Sequence, residues 1–437
     1  MLFGIVFPIA FHYPKLPAMA RKAVSSRSQK RSEVPAVSDA EARELVLEMM
    51  AVPGRSGEEA AIIDYIQNKL TKAGVPAAAL QQDDVHRRTP LAGQVGNLVL
   101  KLPGTVRGPR RMLSAHVDTV PICVGSRPVQ KGKRIVSADS KTGLGADDRA
   151  GAAVLLTTAL AILLGKLEHP PLTFLWTVQE EAGLHGARLA KLGFLGHPRL
   201  AFNFDGGSPA KITIGATGGY RMTVDIHGVA SHAGGAPADG VSAIAIASLA
   251  IADLVEHGWH GAIEKDGHSG TSNVGVIQGG EATNVVTDYV QVRAEARSHD
   301  PKFRAQIVKE MERAFQRAAL RVRNARGRRG RVRVKGQLDY ESFRLPRDES
   351  CVEAAVAAVQ AEGHEPELAI SNGGLDANWL TARGIPTVTL GCGQRHIHTA
   401  KEALDIPDFH LARRIALRLA TAEELPEAKR RPRSPLR

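Results

Sequence analysis

Ordered patterning begins at Ser38. Ser38-x-x-Glu41 and Ser56-x-x-Glu59 have the form of capping boxes, and each precedes apolar residues at helical spacing. NLVLKLPG and RRMLSAHVDTV then read as strands, the second buried and ending in polar residues. After the glycine-bounded GLGADDRAG, the stretch AAVLLTTALAILLGKL is apolar nearly all round, which predicts a buried helix. LTFLWTVQEE, LAFNFDGG and AKITIG continue the pattern of apolar strand followed by acidic loop. Alternating buried strands and helices predict an α/β fold whose sheet is covered on both faces.

From about residue 217 the texture changes. YRMTVDIHG and YVQVRAEARS alternate with period two, with helical stretches at 242–257 and 302–319 between and after them. This predicts an inserted βαββαβ-like unit of roughly 120 residues. Near Tyr340 the first texture returns, with a helix in SCVEAAVAAVQAEG, a strand running into a glycine turn in LAISNGGLDANWL, and a buried strand ending in histidines in IPTVTLGCGQRHIH. The expected layout is an N-terminal extension (1–37), a catalytic domain in two parts (38–215 and 341–425), an inserted domain (216–340) and a basic tail (426–437).

At 437 residues, 43% apolar and 23% charged, the chain is neither disordered nor fibrous. The longest apolar run, 152–164, is 13 residues, short of the roughly 18 a membrane helix needs. Cys123, Cys351 and Cys392 are odd in number and widely spaced, which argues against a disulfide framework or a thiolate zinc site and makes a reducing, cytoplasmic location the expectation. The net charge of +12 suggests nucleic acid until it is placed along the chain. Nineteen of the basic residues sit in 1–32, 321–335 and 429–437, which contain no acid; the rest of the chain has 38 basic against 45 acidic residues. The Arg-rich RVRNARGRRGRVRV lacks interleaved aromatics, so a solvated loop beside an alternating strand is favoured over a polyanion surface. MLFGIVFPIAF with Ala18-Met19-Ala20 has part of a signal-peptide pattern but no preceding positive charge, and reads as an extension with Met19 a candidate start.

Polar residues of metal-binding type stand at the ends of the apolar strands: His116-Val-Asp118, Asp147-Asp148, Glu180-Glu181, Asp205 and His398. Open α/β sheets bind their ligands there. Two histidines and several carboxylates without thiolates suit zinc, cobalt or manganese, and the set is large enough for two ions sharing a carboxylate. On a strand, residues i and i+2 point the same way, so Asp118 is placed to hydrogen-bond the His116 imidazole and fix its tautomer. Burying Glu180 and Glu181 side by side without a cation would cost several kcal/mol, so one is expected to ligate and the other to handle a proton.

SAHVDT, LGADDRAG, TVQEEAGLHGA, FDGG, HGVASHAGGAP, TNVV, EARS and HIHTAKEAL, in that order, resemble the motifs of the peptidase T, carboxypeptidase G and aminoacylase family of dinuclear zinc exopeptidases, metallopeptidase family 20. LGADDRAG and SNGGLDAN lean toward the peptidase T branch. The resemblance implies a mixed, mostly parallel α/β sheet covered by helices on both faces, with an inserted ferredoxin-like α+β lid or dimerisation domain. It also implies two zinc ions per subunit, with cobalt or manganese as substitutes: His116 and Asp205 on one, Glu181 and His398 on the other, Asp147 between them. Asp118 becomes the partner of a ligand, Glu180 the general base, and His232 the donor that reaches a dimer-mate's site to stabilise the oxyanion. Asn284 and Arg297 match positions that hold the substrate's carbonyl or carboxylate. Arg149 replaces the family's usual lysine, and both are cations.

The function so implied is hydrolysis of a short peptide at its N-terminal end, as a tripeptidase-like aminopeptidase working as a homodimer through the inserted domain, without membrane or nucleic-acid partners. An N-acyl-amino-acid deacylase or carboxypeptidase would use the same metals and differ in the pocket. A non-catalytic anion- or nucleic-acid-binding protein is the alternative of another class, and the intact ligand positions with Glu180 count against it.

Overall fold

A computed structural model of the chain describes residues 36–421. The expected extension up to residue 35, the tail beyond 421 and the two terminal basic pieces lie outside the described residues. Helix α1 (Asp39–Ala51) opens on Ser38, whose hydroxyl accepts the Glu41 N–H while Glu41 reaches back to the Ser38 N–H, the expected capping box. The second box does not form. Helix α2 (Ala60–Lys72) has Glu59 at its cap position with no side-chain cap; Ser56 Oγ donates to Asp118 instead, 2.6 Å away, and Glu59 accepts the N–H groups of Gly57 and Gln179.

The main sheet runs through β1 (Leu98–Leu102), β2 (Arg111–His116), β3 (Leu172–Thr177), β4 (Leu200–Phe204), β5 (Lys211–Ala216) and, from the far end of the chain, β11 (Thr387–Leu390). Spatially β3, β2, β4 and β11 are consecutive and parallel, with β1 antiparallel beside β3 and β5 antiparallel beside β11. Every residue of these four central strands is buried, as parallel strands covered on both faces require. Their interior polar groups are paired with one another: Ser114 Oγ donates to Asn203 Oδ1 at 3.0 Å, and the Asn203 amide donates to Thr389 Oγ1 at 3.4 Å.

Helix α3 (Ala146–Gly165) crosses beneath this sheet. It is long and apolar enough to cross a membrane, but 83% of its apolar window is buried against the core. Its threonines give their hydroxyls to backbone carbonyls one turn back, and Trp176 donates to the Ala152 carbonyl.

The segment after β5 builds a second sheet with its own core. Strands β6 (Gly218–His227), β7 (Gly261–Lys265), β8 (His268–Gly279), β9 (Tyr289–Ser298) and β10 (Arg331–Tyr340) form an antiparallel sheet in the order β7-β8-β9-β6-β10. Helices α4 (Ala243–Glu256) and α5 (Pro301–Arg321) cover one face, burying Ile246, Ala250, Ile307, Met311 and Phe315 against Val224, Ile226 and Val292. Four strands have the ferredoxin-like order; β7 is an added edge strand that the sequence pattern did not show. The Arg-rich stretch is a solvent-facing turn, closed by a bridge between Arg323 and Arg329, that leads into the alternating edge strand β10, as expected. Asn324 Oδ1 accepts the Arg326 and Arg328 N–H groups, while Ala325 N–H and the Asn324 amide donate to the carbonyls of Ala238 and Asp239. The chain then re-enters the first body at Phe343–Arg344, which pair with β5, and continues through the expected helix at Ser350–Ala361, then α6 (Asp376–Ala382), β11 and the closing helix α7 (Ile406–Thr421), which packs on α3.

Candidate metal centre and active site

Parallel strands direct their carboxyl ends to one edge of the sheet, and the sequence has spent its polar residues there. His116 is the last residue of β2, Asp205 follows β4 directly, Glu180 and Glu181 follow β3 by a short turn, and Asp147 stands at the start of α3. His398 comes from the loop after β11, at a left-handed φ of 62°. Gln179 and Leu184, flanking the glutamate pair, are also left-handed non-glycine residues (φ 56° each), conformations that cluster at functional sites. The Asp147–Asp148 peptide is cis.

These five expected ligands converge. Asp147 Oδ1 lies 3.1 Å from His116 Nε2, and its Oδ2 lies 3.2 Å from His398 Nε2. Glu181 Oε1 is 2.9 Å from the same His398 nitrogen. Ligand atoms of His116, Asp148 and Asp205 lie within 4.8 Å of one another, as do those of Asp147, Glu181 and His398 and those of His116, Glu180 and Glu181. All are buried or nearly so except His398, whose side chain is 48% exposed at the mouth of the site.

Crowding of acids shows in their proton affinities. Burial, with the Asp147 charge next, pushes the Asp205 carboxyl up to about 7. Burial also puts Glu180 well above the ordinary carboxylate range, opposed by His116 and reinforced by the charges of Asp376 and Asp205. Burial would raise Asp147 too, but hydrogen bonds from His116 and His398 hold it well below the usual range. His398 is pushed up to about 10 by its hydrogen bonds to Asp147 and Glu181. Burial would lower His116, but the Glu180 charge and hydrogen bonds to Asp118 and Asp147 outweigh it and raise the ring as well. Both imidazoles thus favour positive charge among these carboxylates, the pattern of a donor set that bound cations would complete. The set fits a divalent metal pair: imidazole nitrogens and carboxylate oxygens, with no thiolate, since burial and the charge of Asp148 keep the nearby Cys392 thiol protonated.

Surrounding groups fix this constellation. The His116 Nδ1 lies 3.1 Å from the Asp118 backbone carbonyl and 3.5 Å from its carboxylate, so the main chain holds the ring. The expected imidazole–carboxylate pairing is the longer of these two contacts, and the Asp118 carboxylate also accepts the N–H groups of Glu180 (2.9 Å) and Glu181 (3.1 Å). Asp148, adjacent to the bridging position, accepts from His116 N–H, Gly151 N–H and the Gln394 amide, which also reaches Asp205. Arg149 is buried with one N–H on the Gly54 carbonyl; burial brings its guanidinium down to about 10, with the charges of Asp118 and Glu59 opposing. Asp376 binds the Thr177 hydroxyl at the end of β3 and is pushed up to about 6 by burial. Neither Gln394 nor Asp376 was singled out in the sequence, where each looks like an ordinary polar residue near a strand end.

The remaining candidates lie on the second body. His232 is exposed, and its Nδ1 accepts the N–H groups of Gly234 and Gly235 at 3.1 and 2.8 Å. Such a ring carries its proton on Nε2, leaving a donor facing outward. Asn284 is its neighbour: its carbonyl accepts the Ala233 N–H, and His232 pairs in register with Val285. Arg297 already spends one edge of its guanidinium on Glu295, Nε donating to Oε1 and Nη2 to Oε2, both at 3.0 Å. Among the described residues, no hydrogen bond or ion pair joins His232, Asn284 or Arg297 to the carboxylate cluster.

Residues 112–422 match the sequence pattern of peptidase family M20/M25/M40. An uncharacterised protein of Bacillus subtilis, YqjE, is 33% identical over 364 residues, covering 83% of this chain and 93% of that one. Among solved structures, a tripeptidase from Staphylococcus aureus superposes with a TM-score of 0.79 at 30% identity, over 88% of this chain and 98% of its own. The aminopeptidase PepT of Bacillus cereus gives 0.77 at 31% identity, over 88% and 99%.

Proposed function

The chain belongs to peptidase family M20/M25/M40, and from that premise we propose that it is a dinuclear zinc exopeptidase removing the N-terminal residue of short peptides, a tripeptidase-like aminopeptidase. One observation carries the reading: a single carboxylate, Asp147, turns one oxygen to each of two histidines, His116 at the end of β2 and His398 in the loop after β11. His116 and Asp205 would hold one ion, Glu181 and His398 the other, with Asp147 between; cobalt or manganese suits the same donors. Bound there, the ions would supply Lewis-acid polarisation of the scissile carbonyl and acidify a water molecule.

The chain's own residues do the rest. Glu180, buried beside the ligands with its backbone tied to Asp118, would take a proton from the attacking water and return it to the leaving amine, a role its burial next to His116 supports. Asp118 holds Glu180 and Glu181 in one frame. His232 offers an Nε2–H donor for the oxyanion, and its exposure on the second body fits delivery from a dimer-mate across that body. Asn284, beside it, would meet the substrate carbonyl, and Arg297 would bind a substrate carboxylate by releasing Glu295.

The test combines metal analysis with a substrate panel. The reading expects two metal ions per chain and faster turnover of free-amine tripeptides than of N-acetyl amino acids. Preference for the acylated substrates makes the chain a deacylase, and metal-free active protein removes the dinuclear mechanism altogether.

A further inference from the structure

Asp147 and Asp148 have non-helical backbone at the start of α3, and Asp148 Oδ1 caps the regular helix by accepting Gly151 N–H at 3.0 Å; Gly145, ahead of them, has no side chain and sits at φ 81°. The N–H groups of the loop before the helix are met from the other end of the chain. Glu402, 2% exposed, accepts the N–H groups of Leu144 and Gly145 on Oε2, both at 2.8 Å, and that of Asp147 on Oε1 at 3.0 Å. Cys123 Sγ–H completes the shell at 3.4 Å. The carboxylate is met by backbone donors of the loop that leads through Asp147 into α3. Gly143 makes the room, since a Cβ there would come within 3.0 Å of Glu402 Oε2 and 2.8 Å of Cys123 Sγ.

We propose that Glu402 is a positioning residue of the metal centre, holding the backbone of Asp147 so that its two oxygens face His116 and His398. The inference rests on the metal-centre reading above. Its logic is that one short segment, 398–402, supplies an imidazole to the site and also fixes the loop that supplies the carboxylate shared between the histidines. The two halves of the site are then set relative to each other by a link that involves no metal. Partners of this kind are worth about 10–100-fold in metal affinity or activity.

The test is Glu402→Gln in the full chain, which keeps the shape but turns an amide toward three N–H donors; Glu402→Asp and Cys123→Ala accompany it. Each protein is stripped with chelator, titrated with Co2+ while the stoichiometry and visible absorption are followed, melted, and assayed on a tripeptide after reloading with Zn2+. Glu402→Gln is expected to bind Co2+ about 10–100-fold more weakly with an altered spectrum, and to lose a similar factor in kcat with KM within about twofold. Glu402→Asp should fall between it and the wild type, and Cys123→Ala should match the wild type. A purely structural contact would lower the melting temperature and leave affinity, spectrum and kcat of the folded protein unmoved, which overturns the proposal. Should Glu402→Gln fail to fold, wild-type affinity and kcat in Glu402→Asp overturn it equally. Wild-type protein that takes up no Co2+ defeats the metal-centre reading and this inference together; wild-type uptake of two ions matched by Glu402→Gln defeats this inference alone.

Discussion

The carboxylate of Asp118 accepts the backbone N–H of Glu180 at 2.9 Å through Oδ1, although 62 positions separate the two residues. Its other oxygen accepts Glu181 N–H at 3.1 Å and the Ser56 hydroxyl at 2.6 Å. One buried carboxylate thus sets the backbone from which the expected base and an expected ligand both project. Burial would raise its proton affinity, but the hydrogen bond and charge of His116 lead the effects that keep it low, so it stays an acceptor. Asp118→Asn offers one acceptor oxygen where two are used, and about 10–100-fold should be lost from kcat, with weaker metal retention on dialysis. Ser56→Ala should cost far less, because it leaves both backbone contacts intact. Steady-state kinetics with metal analysis check the pair; an Asp118→Asn protein as active as Ser56→Ala would show that the frame is not set this way.

Glu180 tests the division of labour between neighbours. Its side chain is 3.9 Å from His116 Nε2 at the closest nitrogen, whereas Glu181 reaches His398 at 2.9 Å. Glu180→Ala should leave metal content near two ions per chain and lower kcat by about 10²–10⁴-fold, the usual worth of a positioned acid–base group. Glu181→Ala should instead lose metal. If Glu180→Ala is the variant that sheds metal, the two roles are exchanged.

What could be read in the sequence follows from how far each signal reaches. Strands buried on both faces must be continuously apolar, so acids and histidines at the ends of LTFLWT, LAFNF and RMLSAH stand out as exceptions that need a cation. Ser56-x-x-Glu59 misled for the converse reason. Its spacing is that of a local cap, but Asp118 and the Gln179 N–H offer better partners that only the fold brings near. The same holds for Glu402, whose partners lie more than 250 positions away, and for Gln394, which ties Asp148 to Asp205. Edge strand β7 escaped because an exposed edge needs no apolar alternation beyond Ile263.

Metal removal should expose the cost of packing these acids together. Without cations, Asp205 and Glu59 are pushed up to about 7 and Asp376 to about 6, all chiefly by burial, from ordinary values of 3.8, 4.5 and 3.8. A carboxyl raised in the folded state adds stability that is complete below its unfolded pKa and is lost as pH climbs through the folded one. His398, raised from 6.5 to about 10, acts in the same direction at higher pH. The stripped protein should therefore melt at progressively lower temperature from pH 5 to pH 8. Metal at a hundredfold excess over its Kd adds about 2.7 kcal/mol per site, and because the ligands must be deprotonated to bind, a fixed metal concentration should restore more stability at pH 8 than at pH 5. Thermal melts with and without chelator across that range decide it; a stripped protein that gains stability with rising pH contradicts the burial argument.

His232 is the residue whose assignment depends on a second subunit. Its Nδ1 is committed to Gly234 and Gly235, so only Nε2–H is left to donate, and no contact among the described residues brings it to the carboxylates. His232→Ala should lower kcat by about 10²–10³-fold, as loss of one oxyanion donor does, with metal content and melting temperature unchanged. A mixing experiment separates the two ways this could arise. Glu180→Ala and His232→Ala chains are each nearly inactive, but a hybrid dimer pairs an intact metal site on the His232→Ala chain with an intact His232 on the Glu180→Ala chain. If the histidine works across the dimer, unfolding and co-refolding the two variants regenerates activity in about a quarter of all sites, because random pairing makes half the dimers hybrid and each hybrid has one complete site. Activity that stays at the level of the separate variants, with hybrid dimers demonstrated by mass, assigns His232 to its own chain's site or to neither.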